Sequence, residues 1–190
     1  KDYEEQQKQY QTEVSAADFA AKVNLYMQQD KNPSEPYSGE AEVYHYLEWL
    51  RDKVGFDNIR KAVVNPLAGK KIAAYYGCML LRPGKVMRFD DPENPKILED
   101  FIKALGAEPV VYAQRNECCG GYVALEDADS AMRKSSAVSE SAAAHGADLI
   151  VTACPLCKYN LVKSGSGLPV VYFTELLAEA LGIKEEQNEQ

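Results

Sequence analysis

Two hydrophobic rhythms divide the chain near residue 70. Before that point apolar residues recur every three or four positions in a polar background, and after it short apolar runs alternate with helical spacings. Residues 1–36 are rich in Gln and Glu. Within them Phe19, Val23, Tyr26 and Met27 recur at helical spacing, and Ser15 stands to Asp18 as in a capping box, which predicts a helix over about 16–29. Asn32-Pro-Ser-Glu-Pro36 interrupts it. A second helix is predicted from near Ser38, with Glu40 and Glu42 in its first turn and Val43, Tyr46, Leu47, Leu50 and Val54 on one face. Gly55 ends that helix, a short one over 57–64 follows, and Asn65-Pro-Leu-Ala-Gly69 closes the segment.

From Lys70 the predicted order is strand 71–76, helix 95–105, strand 109–112, helix 125–145, strand 148–152, helix 156–163, strand 169–172 and a last helix capped by Thr174 and running to about Leu181. Three of the connections share one form, a helix end followed by Gly-Ala or Gly-Leu and then a strand: Leu105-Gly-Ala, His145-Gly-Ala and Ser166-Gly-Leu. Strands alternating with helices imply an α/β fold, a Rossmann-like parallel sheet. The expected organisation is a helical N-terminal segment over 1–69 and an α/β domain over 70–190.

Composition narrows the partners. A chain of 190 residues with 46% hydrophobic residues buries an ordinary core. Its formal net charge of -8 argues against duplex nucleic acid, because no dense row of Lys and Arg is present to neutralise phosphates. A small molecule or another protein is the expected partner. No apolar run approaches the ~18 residues of a membrane span, and the polar start Lys-Asp-Tyr-Glu-Glu is unlike a signal peptide, so the cytoplasm is the expected compartment.

The chemistry resides in five cysteines, Cys78, Cys118, Cys119, Cys154 and Cys157. The number is odd and too sparse for a secreted disulfide scaffold, and in a reducing compartment it points to metal or redox chemistry. The predicted strands place Cys78 after the first, the Cys118-Cys119 pair a short loop after the second, and Cys154 directly after the third. Ligands of open parallel sheets bind beyond the carboxyl ends of the strands, so all five are expected on one edge. Gly77, Gly120 and Gly121 allow close backbone approach beside the thiols. Pro155 suits the first turn of a helix whose free N–H groups would face Cys154 and Cys157 and lower thiol pKa. A zinc ribbon fits poorly, since the chain has one C-x-x-C, a vicinal pair and a single Cys, with spacers of 39 residues (79–117) and 34 residues (120–153). Vicinal cysteines serve two metals more readily than one tetrahedral ion, so a multinuclear iron–sulfur cluster is the natural guest, although ferredoxin spacings are absent.

The series Cys78, Cys118-Cys119-Gly120 and Cys154-Pro-Leu-Cys157 resembles the cysteine-rich (CCG) domain of the heterodisulfide reductase B-subunit family. Residues 59–69 ahead of Tyr75-Tyr-Gly-Cys-Met-Leu-Leu-Arg-Pro83, and Thr152-Ala-Cys-Pro-Leu-Cys-Lys-Tyr-Asn160, are similar to the second such domain of these proteins. The resemblance covers about residues 38–182. It implies that all five cysteines bind a non-cubane [4Fe-4S] cluster; in recombinant material an absent cluster or a zinc replacement is the alternative. It further implies reductive cleavage of a small thiol disulfide, with electrons from a partner iron–sulfur subunit. Because these B-subunits carry two such domains in tandem, and the chain starts at Lys1 without Met, the expectation is a C-terminal piece of a longer subunit, inactive alone. Two other readings remain: a non-catalytic zinc or iron scaffold module, and an iron–sulfur subunit domain of a glycolate, lactate or succinate oxidising system. Arg82 and Lys85 follow Cys78 closely enough to meet an anionic substrate, but solvated loop bases are the commoner case. His45 is expected to be a surface or packing residue and His145 a helix C-terminal cation.

Overall fold

Alternation along a single strand shows why this sheet is covered on both faces. In the computed structural model, which describes residues 16–29, 35–36, 42–164 and 167–183, strand β1 (Lys71–Tyr75) sends Ile72 and Ala74 into one hydrophobic core and Ala73 and Tyr75 into another. Strands β2 (Glu108–Val110), β3 (Leu149–Thr152) and β4 (Val170–Tyr172) complete a sheet of order β2-β1-β3-β4. All its pairings are parallel, with Ile72 opposite Pro109 and Leu149, and Val151 opposite Val171. A parallel sheet buried on both faces needs helices on both, as the alternating sequence predicts.

The chain divides into two compact units, Lys1–Tyr44 and His45–Gln190. In the first, helix α1 spans Ala16–Gln28, with Phe19 and Tyr26 exposed; Ser15 of the expected capping box lies outside the described residues. In the second, α2 starts as Tyr46–Trp49 and continues as a π-helical segment, Leu50–Val54. That start is later than the predicted Ser38. Residues 37–41 lie outside the described set, 42–45 are non-helical, and His45 is extended with its Nδ1 accepting the Leu47 N–H at 3.2 Å. A histidine cap thus begins the helix, and Val43, expected on the buried stripe, is 94% exposed. Leu47 and Leu50 are buried as predicted. The His45 ring packs edge-on to Phe89 at 5.1 Å, the packing role expected of it.

Helix α3 (Phe56–Ala62), α2, α5 (Ile97–Ala104) and α8 (Phe173–Leu181) cover one face of the sheet, with Ile59, Leu98, Phe101, Phe173 and Leu177 in the shared core. Helices α6 (Ala128–Ala144) and α7 (Pro155–Lys163) cover the other, where Val138, Ala142 and Leu161 meet Ile150 and Val170. Two caps differ from expectation. Helix α6 starts at Ala128 because Asp127 accepts the Ser130 N–H at 2.9 Å, and α8 starts at Phe173, which places Thr174 inside the first turn rather than at the cap, while Glu175 accepts the Tyr172 N–H at 3.0 Å. The sequence reading also missed a short helix α4 (Gly84–Met87) and a 3₁₀ turn over Ala113–Asn116. Ser166, in the third helix-to-strand connection, lies outside the described residues. Among the described residues no helix is long and apolar enough to cross a membrane.

Candidate metal centre

Each of the first three strands ends in a cysteine arm. Strand β1 runs through Tyr76 into Gly77-Cys78, β3 runs through Ala153 into Cys154, and β2 continues through the 3₁₀ turn to Cys118-Cys119. All five cysteines line one cavity of about 90 Å³, together with Tyr76, Met79, Leu80, Gly121, Tyr122 and Leu156. The expected convergence on the carboxyl edge of the sheet is therefore observed.

Local geometry explains how thiols come so close. Cys154 is the N-cap of α7 and Pro155 occupies its first turn, so the Cys157 N–H points at Cys154 Sγ, 3.5 Å away. Cys157 Sγ lies 3.6 Å from Cys119 Sγ, and the Asn160 Nδ2 amide donates to Cys119 Sγ at 3.5 Å. The Gly120 N–H meets Cys118 Sγ at 3.3 Å. Gly77 has φ +66°, and a Cβ there would stand 2.9 Å from Cys157 Sγ, so both backbone conformation and space require glycine. Two tyrosines fix the arms: Tyr75 donates to the Glu117 carbonyl at 2.7 Å, and Tyr172 donates to the Ala153 carbonyl at 2.9 Å.

This arrangement separates the thiols electrostatically. Cys119 is lowered to about 6, first by the hydrogen bond from Cys157 and then by Asn160 and the Gly121 N–H, against the opposing effect of burial. Cys154 is lowered to about 6 by Cys157 and by the N–H groups of Cys157 and Leu156 at the helix start. Cys157, the shared donor between these two sulfurs, stays protonated far above the ordinary thiol range. Cys78 is pushed up, mainly by burial and then by the neighbouring Cys118 thiol. In the metal-free protein, iodoacetamide alkylation of Cys154, followed by peptide mass spectrometry across pH, is expected to rise through a midpoint near 6. A depressed thiol pKa means that thiolate persists, and alkylation proceeds, above pH ~6 and is lost below it; a midpoint at the ordinary ~8.5 contradicts the arrangement.

Among the described residues no three His, Cys, Asp or Glu side chains converge as ligands of a single ion. All five cysteines nonetheless line the same cavity. Arg82 and Lys85 do not line it: the Arg82 guanidinium is engaged with Glu93 Oε1 at 3.0 Å and the Asn116 carbonyl at 3.2 Å. His145 sits at the C-terminus of α6 with Nδ1 2.7 Å from the Ser141 carbonyl, as expected of a helix-end residue. Sequence reading missed Tyr75, Asn160 and Tyr172. Asn160 had a legible signal, since it follows Cys157 by three positions and shares its helix face. The tyrosine hydroxyls act on carbonyls 42 and 19 residues away, which no local pattern encodes.

Residues 72–162 match the family model of the CCG cysteine-rich domain. The chain is 36% identical over 157 residues to an 8-methylmenaquinol:fumarate reductase membrane anchor subunit of Wolinella succinogenes, covering 77% of this chain and 55% of that protein. It is 30% identical over 163 residues to the B-subunit of a ferredoxin:CoB-CoM heterodisulfide reductase of Methanosarcina mazei, covering 80% and 54%. A heterodisulfide reductase B-subunit-like protein of Archaeoglobus profundus is also 30% identical, over 165 residues, covering 80% and 55%. The chain spans about half the length of these curated relatives.

Proposed function

Because the chain belongs to the CCG cysteine-rich domains of the heterodisulfide reductase B-subunit family, we propose that it is the iron–sulfur domain of a disulfide-reducing oxidoreductase. Cys78, Cys118, Cys119, Cys154 and Cys157 would hold a non-cubane [4Fe-4S] cluster. The observation that carries this reading is the presence of all five cysteines on one cavity at the carboxyl edge of the sheet. Five soft thiol donors on one cavity suit a multinuclear iron–sulfur group. When bound, such a cluster supplies one-electron transfer and iron that accepts a sulfur ligand.

The chain's own residues prepare the site in three ways. Hydrogen bonds keep Cys119 and Cys154 as thiolates at neutral pH, the form in which sulfur binds metal. Positively polarised N–H groups at the start of α7 face the anionic sulfurs. Leu80, Leu156 and Tyr122 add apolar surface to the cavity lining. As the chain spans about half the length of its relatives, turnover is proposed only for a protein that carries their full length, with electrons arriving from a partner iron–sulfur subunit and a small disulfide as substrate.

A second reading is favoured by the 36% identity to the fumarate reductase subunit: the same centre would pass electrons in a quinol- or fumarate-linked system. Both readings predict the same cluster and differ from a zinc scaffold. Anaerobic reconstitution followed by iron and sulfide analysis with EPR is expected to give roughly four irons per chain and a paramagnetic cluster signal. One tightly bound zinc with no iron would sink both redox readings. Between the two, oxidation of the reduced cluster by a thiol disulfide, and not by a quinone, supports disulfide reduction.

A further inference from the structure

Beside the cysteine cavity lies a buried polar network that the proposed redox chemistry does not use. Glu99 of α5 and Arg115 of the 3₁₀ turn are 4% and 8% exposed. Arg115 Nη1 donates to Glu99 Oε1 at 2.5 Å, and its Nη2 donates to Asn94 Oδ1 at 2.6 Å. The Tyr76 hydroxyl donates to Glu99 Oε2 and accepts the Leu98 N–H at 2.9 Å. The Tyr76 backbone N–H in turn donates to the Arg115 carbonyl at 2.8 Å.

A buried ion pair is a poor way to gain stability, because desolvating both charges offsets most of their attraction. A fully satisfied buried network instead favours one arrangement of the segments that supply it. Here those segments are two of the cysteine arms. Tyr76 lines the cavity and lies two residues before Cys78, while Arg115 lies three residues before Cys118. One carboxylate, Glu99, therefore ties both arms to α5, and Cys78 and Cys118 line the same cavity at the ends of those arms. The Cys154 and Cys157 arm is set separately, by the start of α7.

We propose that Tyr76, Glu99 and Arg115 are positioning residues: a buried clamp that fixes the spacing of Cys78 against Cys118 independently of the Cys154 and Cys157 pair. The clamp rests on the proposed cluster site for its purpose, but the sulfur spacing it sets is measurable without metal.

The test uses the full chain, metal-free and reduced, treated with dibromobimane, which joins two neighbouring thiols. Mass spectrometry of the peptides then gives the ratio of Cys78–Cys118 bridges to Cys154–Cys157 bridges. Glu99→Gln keeps the side-chain shape and removes the charge that holds both arms. It is expected to lower the ratio about tenfold, because intramolecular reaction falls steeply with misplacement. The double variant Glu99→Gln with Arg115→Met removes the unpaired buried charge and is expected to raise the melting temperature above that of the single variant while the ratio stays low. A ratio that recovers together with stability would show a merely stabilising network and overturn the clamp. An unchanged ratio in folded Glu99→Gln overturns it as well. If Glu99→Gln does not fold, Tyr76→Phe, which keeps the ion pair and the Tyr76 N–H bond to the Arg115 carbonyl and removes only the hydroxyl's tie to Glu99 and the Leu98 N–H, decides in the same way: a fallen ratio supports the clamp and a wild-type ratio overturns it. Failure of wild-type protein to take up iron would count against the cluster and leave this ratio unaffected.

Discussion

Phe101→Ala is expected to lower the unfolding free energy by about 3–5 kcal/mol, the range for deleting a large buried aromatic from a core that only partly collapses. Phe101 is completely buried, at the point where α5 meets the sheet, and its ring lies 6.1 Å from Phe56 and 6.0 Å from Phe173. Three elements, α3, α5 and α8, therefore lose a common contact, and the aromatic pairs add to the area term. Urea unfolding followed by circular dichroism should show a lower midpoint with an unchanged slope, because the surface exposed on unfolding is nearly the same. A loss below ~1.5 kcal/mol would mean that the core repacks and that this face of the sheet is less tightly built than its burial implies. The core is on the face opposite α7, so the Cys154 alkylation midpoint should remain near 6 in the folded variant.

Gly120→Ala is expected to be nearly as damaging, and to act on the site itself. Gly120 has φ +80°, a conformation that costs an L-residue roughly 1–2 kcal/mol. A Cβ at that position would also stand 2.7 Å from the Ala131 Cα, and backbone of α6 is unable to yield as a flexible side chain would. Overpacking of this kind adds about 1–3 kcal/mol, for a total of roughly 2–5 kcal/mol. The displaced residue would be Cys119, whose carbonyl accepts the Ser135 hydroxyl at 2.8 Å and whose Sγ receives the Asn160 amide. The expected result is a fall in melting temperature together with a Cys119 thiol that titrates closer to its ordinary value, read by alkylation against pH. Wild-type stability in this variant would contradict the close packing of the vicinal pair on α6.

The sequence was most legible where one periodicity acts alone. The four strands and the helices between them follow from short apolar runs bounded by Gly and Pro, and they appear in the expected order and all parallel. The cysteine arms were legible for the same reason: a strand that ends in Gly-Cys or Ala-Cys-Pro delivers its thiol to a known edge. Legibility failed at helix starts. At His45, an imidazole takes the capping role usually filled by Ser, Thr, Asp or Asn, and the expected start near Ser38 was signalled only by acidic residues, a weak local preference. At α8 the helix begins at Phe173, one residue before the expected Thr174 cap, and Glu175 reaches back to accept the Tyr172 N–H.

What the sequence determined by itself is therefore the set of five thiols, the strands that carry them and the edge on which they meet, because strand direction and turn chemistry are local properties. What only the tertiary structure decided is the state and spacing of those thiols. Cys119 and Cys157 are 38 residues apart in the chain yet 3.6 Å apart in space, and that contact separates an acidic thiol from a protonated one. Tyr75 on Glu117, Tyr172 on Ala153 and the Tyr76, Glu99 and Arg115 network likewise depend on segments brought together by the packed sheet. Hydrogen bonds and burial depend on distance in space, and distance in space is fixed only once both faces of the sheet are covered.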